Sequence, residues 1–218
     1  MAHLEEQRWQ RRKAERPGEI IDAALECFVA KGFMATRLDE VAKLAGVSKG
    51  TLYLYFENKE ALFKAVVETL VVPEIERTEQ QIQAFEGSAS ELISQLVKQW
   101  WESVGASQVC GLPKLMIAEA GNFPELASFY VEHVIGRVRR VIAQLISRGI
   151  TAGEFKACDP AYAARLLLAP MVFAAIYQHS LLAYDSEPFE VSVYLDNHLD
   201  IFLHGLMDKV EETGVTSA

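Results

Sequence analysis

Cysteine is scarce in this sequence, and its spacing matches no framework. Cys27, Cys110 and Cys158 are an odd number set far apart, so neither a disulfide scaffold nor a C-x-x-C zinc site is indicated. The five histidines, at positions 3, 133, 179, 198 and 204, contain no i, i+4 pair and no E-x-x-H, which removes the usual helical metal motifs. No G-x-S-x-G, phosphate loop or dinucleotide fingerprint is present, so no catalytic residue, cofactor or metal is expected and the chain does not read as an enzyme. Cys158 precedes a helix start, where a thiol can be activated, but a structural or solvated cysteine is the simpler reading. No apolar stretch follows the N-terminal charges as in a secretory signal. One uncharged run, Leu166 to Tyr184, approaches the length of a membrane span. It contains Pro170, Gln178, His179 and Ser180 and has no counterpart elsewhere, so a buried or subunit-interface helix, no membrane and a cytoplasmic location are expected.

Half of the 218 residues are hydrophobic, enough for a substantial core. The net charge of −9 is a poor match to nucleic acid as a sum, but its distribution matters more. Residues 1–60 hold 10 basic and 10 acidic side chains, so the whole excess of acid lies after residue 60. Residues 8–16 carry Arg8, Arg11, Arg12, Lys13 and Arg16 against Glu15 alone. Residues 1–15 lack periodicity and read as a basic flexible arm, either a solvated tail or a segment that reaches DNA.

The stretch from Thr36 to Phe63, TRLDEVAKLAGVSKGTLYLYFENKEALF, organises the rest. Thr36 and Asp39 have capping-box spacing ahead of Leu38, Val41, Ala42 and Ala45, which share a helical face. Gly46 then suits a left-handed backbone, and Ser48 is the next N-cap candidate, with Leu52 and Phe56 on one face. Two short helices joined at a glycine make a helix-turn-helix. Its second helix presents Lys49, Gly50, Thr51, Tyr53 and Tyr55, and no carboxylate lies between Glu40 and Glu57.

Helix 1 is expected from about Pro17 to just before Gly32, with Ile20, Ile21, Ala24, Leu25 and Phe28 buried, Cys27 as core filler and Phe33 beneath the helix-turn-helix. Asn58 should cap a fourth helix with Ala61, Leu62, Ala65 and Val66 inward, ended or kinked by Pro73. Ser88 or Ser90 opens a helix containing Leu92, Leu96, Trp100 and Trp101, and a short helix spans about Pro113 to Ala120. Asn122 with Glu125 should cap a long helix to about Arg148, stopped at Gly149. Asp159-Pro160 opens the helix holding Leu166 to Leu182, and a last helix covers about Glu190 to Val210, with Leu195, Leu199, Phe202 and Leu206 as its stripe. The fold class is therefore all-α, about nine helices without sheet or repeat. A basic arm (1–15), a three-helix helix-turn-helix DNA-binding domain (16–60) and a larger ligand-binding and dimerisation domain (61–218) are the expected divisions.

Residues 17–66 resemble the DNA-binding domain of the TetR/AcrR transcriptional regulators. The resemblance rests on T-x-x-x-x-V-A at Thr36 to Ala42, AGVSKGTLYLYF at Ala45 to Phe56 and ENKEAL at Glu57 to Leu62. IAEAGNFPEL at Ile117 to Leu126 and RGITAGEFKACDP at Arg148 to Pro160 are similar to the same family's ligand-binding domains. The resemblance implies phosphate contacts from Tyr53, Tyr55 and Lys59, with Arg37 and Ser48 as further candidates. Base reading is assigned to Lys49, Gly50, Thr51 and Leu54, near the helix end that enters the major groove. Tyr55 can instead pack under its helix, and Leu54 can meet a thymine methyl or turn inward.

Ligand-binding candidates are Trp100, Trp101, Met116, Tyr130, His133, Arg137, Phe173, Tyr177 and Gln178, large or polarisable residues that would otherwise be plain core. His133 and Arg137 share a face and can meet an acidic group, or be neutralised by Glu102 or Glu119. The last two helices carry more apolar surface than one core needs, with Tyr194, His198 and Ile201 opposite the main stripe of the final helix. Pairing as a four-helix bundle in a homodimer would bury it. The expected protein is a DNA-binding transcriptional regulator with a double-stranded operator, itself and a small-molecule inducer as partners: a homodimeric repressor released by a small, largely apolar or aromatic ligand. Two alternatives stand beside it: an activator of the same fold, and a helical small-molecule or lipid-binding protein or enzyme that retains a helix-turn-helix.

Overall fold

The structure is a computed structural model that describes residues 2–207, with side chains described from Arg16 onward. The helices in chain order are α1 (Ala2–Lys31), α2 (Leu38–Leu44), α3 (Lys49–Tyr55), α4 (Lys59–Leu70), α5 (Val72–Ala84), α6 (Ala89–Trp100), α7 (Gly111–Glu119), α8 (Pro124–Tyr130), α9 (Gly136–Thr151), α10 (Pro160–Gln178) and α11 (Val191–Leu206). The nine expected helices are all present, two of them divided. Pro73 splits one into α4 and α5, and a π turn at Val131–Ile135 separates α8 from α9. Among the described residues there is no strand, only a single antiparallel bridge between Phe155 and Met207.

Several boundaries differ from expectation, each for a local reason. Helix α1 begins at Ala2 with Pro17 inside it, because Glu, Gln, Arg, Lys, Ala and Leu dominate residues 2–16 and are good helix formers. What the basic side chains before Arg16 touch lies outside the described residues. Phe123, not Asn122, is the N-cap of α8, and Pro124 takes the first turn. Gly149 does not stop α9, which continues to Thr151. A side chain there would collide with the ring of Phe155, so this glycine serves close packing. On α4 the buried face is Leu62, Phe63, Val66 and Val67, with Ala61 and Ala65 at its margin.

The chain forms two compact units: residues 1–78 with 102–137, and residues 79–101 with 138–218. The first is centred on three fully buried rings, Phe28 of α1, Phe33 and Phe63 of α4, with centroids 5.4–5.9 Å apart. Phe123 adds a fourth ring, edge-on to Phe33 at 4.7 Å. Ile20, Ile21, Ala24 and Leu25 complete the expected α1 stripe, and Cys27 fills space beside them. Packed as tilted or edge-to-face pairs, these rings bury large apolar area around the link between α1 and α2.

The second unit has an aliphatic centre. Leu92, Ile93, Leu145, Ile146, Ala164, Leu167, Ala174, Leu195 and Leu199 bring α6, α9, α10 and α11 together. Asp159 caps α10 as expected, accepting from the amides of Ala161 and Tyr162 at 2.8 and 3.3 Å. Ser88 caps α6, and Glu154 closes over the same helix start by accepting from the amides of Ala89 and Ser90 at 2.7 and 2.8 Å. Arg148 donates to the carbonyls of Phe85 and Gly87 at 2.9 and 3.0 Å, holding the turn ahead of α6. α10 is long and apolar enough to cross a membrane, but its Ala163, Ala164, Leu167, Met171 and Ala174 are buried in this core.

Candidate nucleic-acid interface

The turn between α2 and α3 is set by backbone hydrogen bonds. Gly46 has φ +66°, and its amide donates to the carbonyl of Lys43 at 3.2 Å while that of Val47 donates to Ala42 at 2.9 Å. This pair of bonds is a Schellman closure, and the left-handed residue within it favours glycine. Two residues later Ser48 starts α3: its Oγ accepts from the Thr51 amide at 3.1 Å and lies 2.8 Å from the Thr51 hydroxyl. Leu52 is then fully buried, which rotates the opposite face of α3 outward.

That face carries Lys49, Gly50, Tyr53 and Leu54, all exposed, with Leu54 at 83%. Leu54 therefore turns outward and not into the core. A side chain at Gly50 would meet nothing closer than Ser48 Oγ at 3.8 Å, so nothing inside the chain requires glycine there. Tyr55 is half-buried, with its ring 6.5 Å from that of Phe56. The Lys49 ammonium lies 2.7 Å from Asp39 Oδ1 and 6.0 Å from the centre of the Tyr53 ring. Hydrogen bonding to Lys49 holds the Asp39 carboxyl below its ordinary range and raises the Lys49 ammonium in return. Arg37 is exposed at the N-cap of α2, 3.8 Å from the same carboxylate.

Two residues have different partners from those their sequence positions suggest. Thr36 is buried and does not cap α2: its hydroxyl bonds the carbonyls of Gly32 and Cys27 at 2.7 and 3.1 Å, tying down the end of α1. Lys59 is not a free phosphate ligand in this conformation. Its Nζ donates to the carbonyls of Phe33, Met34 and Thr36 at 2.7, 3.0 and 3.0 Å and lies 4.7 Å from the centre of the Phe33 ring. An ammonium has three protons, and these carbonyls take all of them. Sequence spacing could not show this, because the carbonyls converge only when the α1–α2 link wraps past the start of α4. Asn58 caps that start as expected, accepting from Ala61 at 2.7 Å.

The same link is held from α7. Glu119 is buried, accepts from the Met34 amide at 3.1 Å and from the Asn122 side chain at 3.2 Å. Glu119 is thus engaged with this link, while Arg137 lies 3.6 Å from Glu76. His133 is exposed, stacked at 4.2 Å on Phe129, with Nδ1 2.9 Å from the Phe129 carbonyl. Lys64 of α4 lies over the same ring, 5.5 Å from the Phe129 ring centre.

The ligand candidates divide between the units. Met116 and Tyr130 are buried in the first, with His133 and Arg137 on the same run of chain. Burial pushes the Tyr130 hydroxyl up and, nearby, the Cys110 thiol up to about 12. Trp100, Trp101, Phe173, Tyr177 and Gln178 belong to the second unit. There Trp100 and Trp101 are partly buried with centroids 6.3 Å apart. Phe173, Tyr177, Phe189 and Tyr194 form a continuous row at 5.8, 5.1 and 5.3 Å, and the Tyr177 hydroxyl donates to Asp185. Phe189 and Asp185 were not among the candidates. The only sequence signal for them is an aromatic residue immediately before α11 and a carboxylate eight positions after Tyr177.

Comparison with known proteins places both halves. Residues 20–66 match the model of the bacterial regulatory proteins of the tetR family, and residues 91–204 match that of the C-terminal domain of AefR-like transcriptional repressors. The HTH-type transcriptional regulator YhgD of Bacillus subtilis is 32% identical over 163 residues, covering 71% of this chain and 79% of that protein. The fatty acid metabolism regulator protein of the same organism is 27% identical over 146 residues, 66% and 74% of the two chains. Among solved structures, the transcriptional regulator FadR from Bacillus subtilis in complex with stearoyl-CoA superposes with a TM-score of 0.67 at 21% identity, over 86% of this chain and 97% of that one. With a C-terminal family match over more than half of its length behind this helix-turn-helix, the chain belongs to the TetR family and is a DNA-binding transcriptional regulator.

Proposed function

We propose that the protein is a homodimeric repressor that binds a palindromic operator in the cytoplasm and is released by a small, largely apolar or aromatic ligand. The observation that carries the reading is the outward face of α3, where Lys49, Gly50, Tyr53 and Leu54 stand exposed on a helix fixed at both ends. Lys49, Gly50, Thr51 and Leu54 read base edges, while Arg37, Ser48, Tyr53 and Tyr55 contact phosphates. Lys59 acts through the backbone it holds. One such helix reads few base pairs, and two set about 34–36 Å apart by a two-fold axis read a palindrome. An exposed stripe on α10, Tyr162, Leu166 and Phe173, with Val193 and Ile201 on α11, supports pairing through these helices.

The ligand displaces α7 and α8, whose Glu119 and Phe123 bear on the α1–α2 link and thereby on the start of α4. Weakening operator binding about 100-fold needs a total preference of about 2.8 kcal/mol for the non-binding state. The fatty acid relatives favour an acyl chain as the apolar part, so a long-chain acyl-CoA is the first probe. Selection from a random duplex library should return a palindrome, and light scattering at micromolar concentration should give a dimer. A monomer, or recovery of no recurring sequence, would sink the reading. An acyl-CoA series that leaves affinity for the selected palindrome unchanged at fixed salt would remove the acyl ligand but not the DNA contact.

A further inference from the structure

Asp39 is a feature of the helix-turn-helix that its DNA chemistry does not explain, because a carboxylate paired with the reading helix repels phosphate, whereas the neighbouring Glu40 pairs with Lys31 of α1. Resting on the DNA-binding reading above, we propose that Asp39 is a specificity-determining positioning residue, which holds the Lys49 ammonium for base readout and keeps Lys49 and Arg37 from binding phosphate indiscriminately.

The geometry is specific. Asp39 is in the first turn of α2 and Lys49 is the first residue of α3, so their 2.7 Å ion pair bridges the two helices across the Gly46 turn. The Tyr53 ring stands 6.0 Å from the same ammonium on its own helix. A lysine on a flexible four-carbon stem would otherwise sweep a wide arc and settle on the nearest phosphate. With one proton committed to Asp39, two remain for acceptors, which suits N7 and O6 of a guanine in the major groove. Arg37 lies 3.8 Å from the same carboxylate, so Asp39 offsets a second cation at the edge of the face. Both partners are exposed, so the pair is not required to bury charge. The depressed Asp39 carboxyl and raised Lys49 ammonium agree with a pair that is ionised at neutral pH.

The test uses the full-length protein and a palindrome that the wild type selects from a random duplex library. Affinity is measured on that palindrome, on each single-base-pair variant and on a scrambled duplex, across a salt series. Asp39→Asn should tighten binding to scrambled DNA by about tenfold at low salt and steepen the salt slope by about 1. It should also flatten the preference at one base pair of each half-site. Lys49→Ala should flatten the same base pair, and Asp39→Asn added to Lys49→Ala should change that position no further. Asp39→Glu keeps the charge and should keep most of the preference, which serves if the Asn variant melts early. Equal weakening of Asp39→Asn on every duplex, an unchanged preference profile, or flattening at different base pairs in the two variants would each overturn the inference. Failure of the wild type to select any sequence would instead strike the DNA-binding reading itself.

Discussion

The two compact units fill their centres with different residues. In the first, the rings of Phe28, Phe33 and Phe63 meet at the middle with Phe123 edge-on to Phe33, and the exposed face of α3 carries Lys49, Gly50, Tyr53 and Leu54. In the second, leucine, isoleucine and alanine dominate the middle around one buried ring, Phe155, while a further row of aromatic residues from Phe173 to Tyr194 lies at the margin. In a ring-centred core the preferred tilted and edge-to-face arrangements constrain how the elements carrying the rings can pack. An aliphatic core with aromatics at its edge leaves flat, polarisable surfaces available to something outside the chain. The contrast separates a unit whose rings meet inside it from a unit whose rings lie mostly along its edge.

The strongest way to break that contrast is to remove one central side chain from each unit. Phe33→Ala should cost the first unit about 3–5 kcal/mol and abolish operator binding. Leu145→Ala should cost the second unit about 2–5 kcal/mol while the remaining folded protein still binds the operator. Denaturant unfolding followed alongside operator titration separates the two; equal loss of DNA binding per folded molecule in both variants would erase the distinction. Next comes Gly149→Ala, which drives a methyl into the Phe155 ring and should destabilise the second unit by about 1–3 kcal/mol. Its counterpart is Gly111→Ala in the first unit, against a Val29 side chain that is stiff at its β-branch but partly exposed, so that it should give way at a lower cost than the buried Phe155 ring. Calorimetry of the pair reads the difference.

The sequence shows the first unit better than the second, for a physical reason. Gly46, Ser48 and Asn58 act through bonds to residues two to four positions away, so their roles can be read from spacing alone. Glu119 and Lys59 bond to backbone groups that only the folded link brings near, and Thr36 turns back to the end of α1 in place of the forward cap its spacing suggests. The nine-helix outline was legible because apolar periodicity is local. Which aromatic residues meet was not, since Phe189 joins Tyr177 only after the turn between α10 and α11 closes.

Two smaller effects sharpen the comparison. On the proposed reading, Lys49→Ala should weaken operator binding about 10–100-fold with a nearly unchanged melting temperature, since the side chain buries nothing and its ion pair with Asp39 is exposed. Loss of thermal stability in this variant would mean that the side chain supports the fold. In the second unit, burial raises the Glu154 carboxyl, but the Ser90 hydroxyl, the amides of Ser90 and Ala89, and Arg148 outweigh it and hold the group below its ordinary range. A depressed carboxyl stabilises the folded state above the ordinary value of about 4.3 and loses that contribution as pH falls through its own lower value. Glu154→Gln should therefore cost about 1 kcal/mol at pH 7, reduced by the group's partial exposure, and progressively less below pH of about 4. Urea midpoints of wild type and variant should converge in acid; a constant gap would mean the carboxylate charge is irrelevant.

The bond from the Met34 amide to Glu119 turns one backbone proton into a clock. The amide is on the α1–α2 link and its acceptor is on α7, so the proton exchanges with solvent only when the two part. Its deuterium uptake, followed against that of amides inside α1, times the opening of this joint without any label on DNA or ligand. If the ligand acts through α7 as proposed, it should change that uptake together with operator affinity.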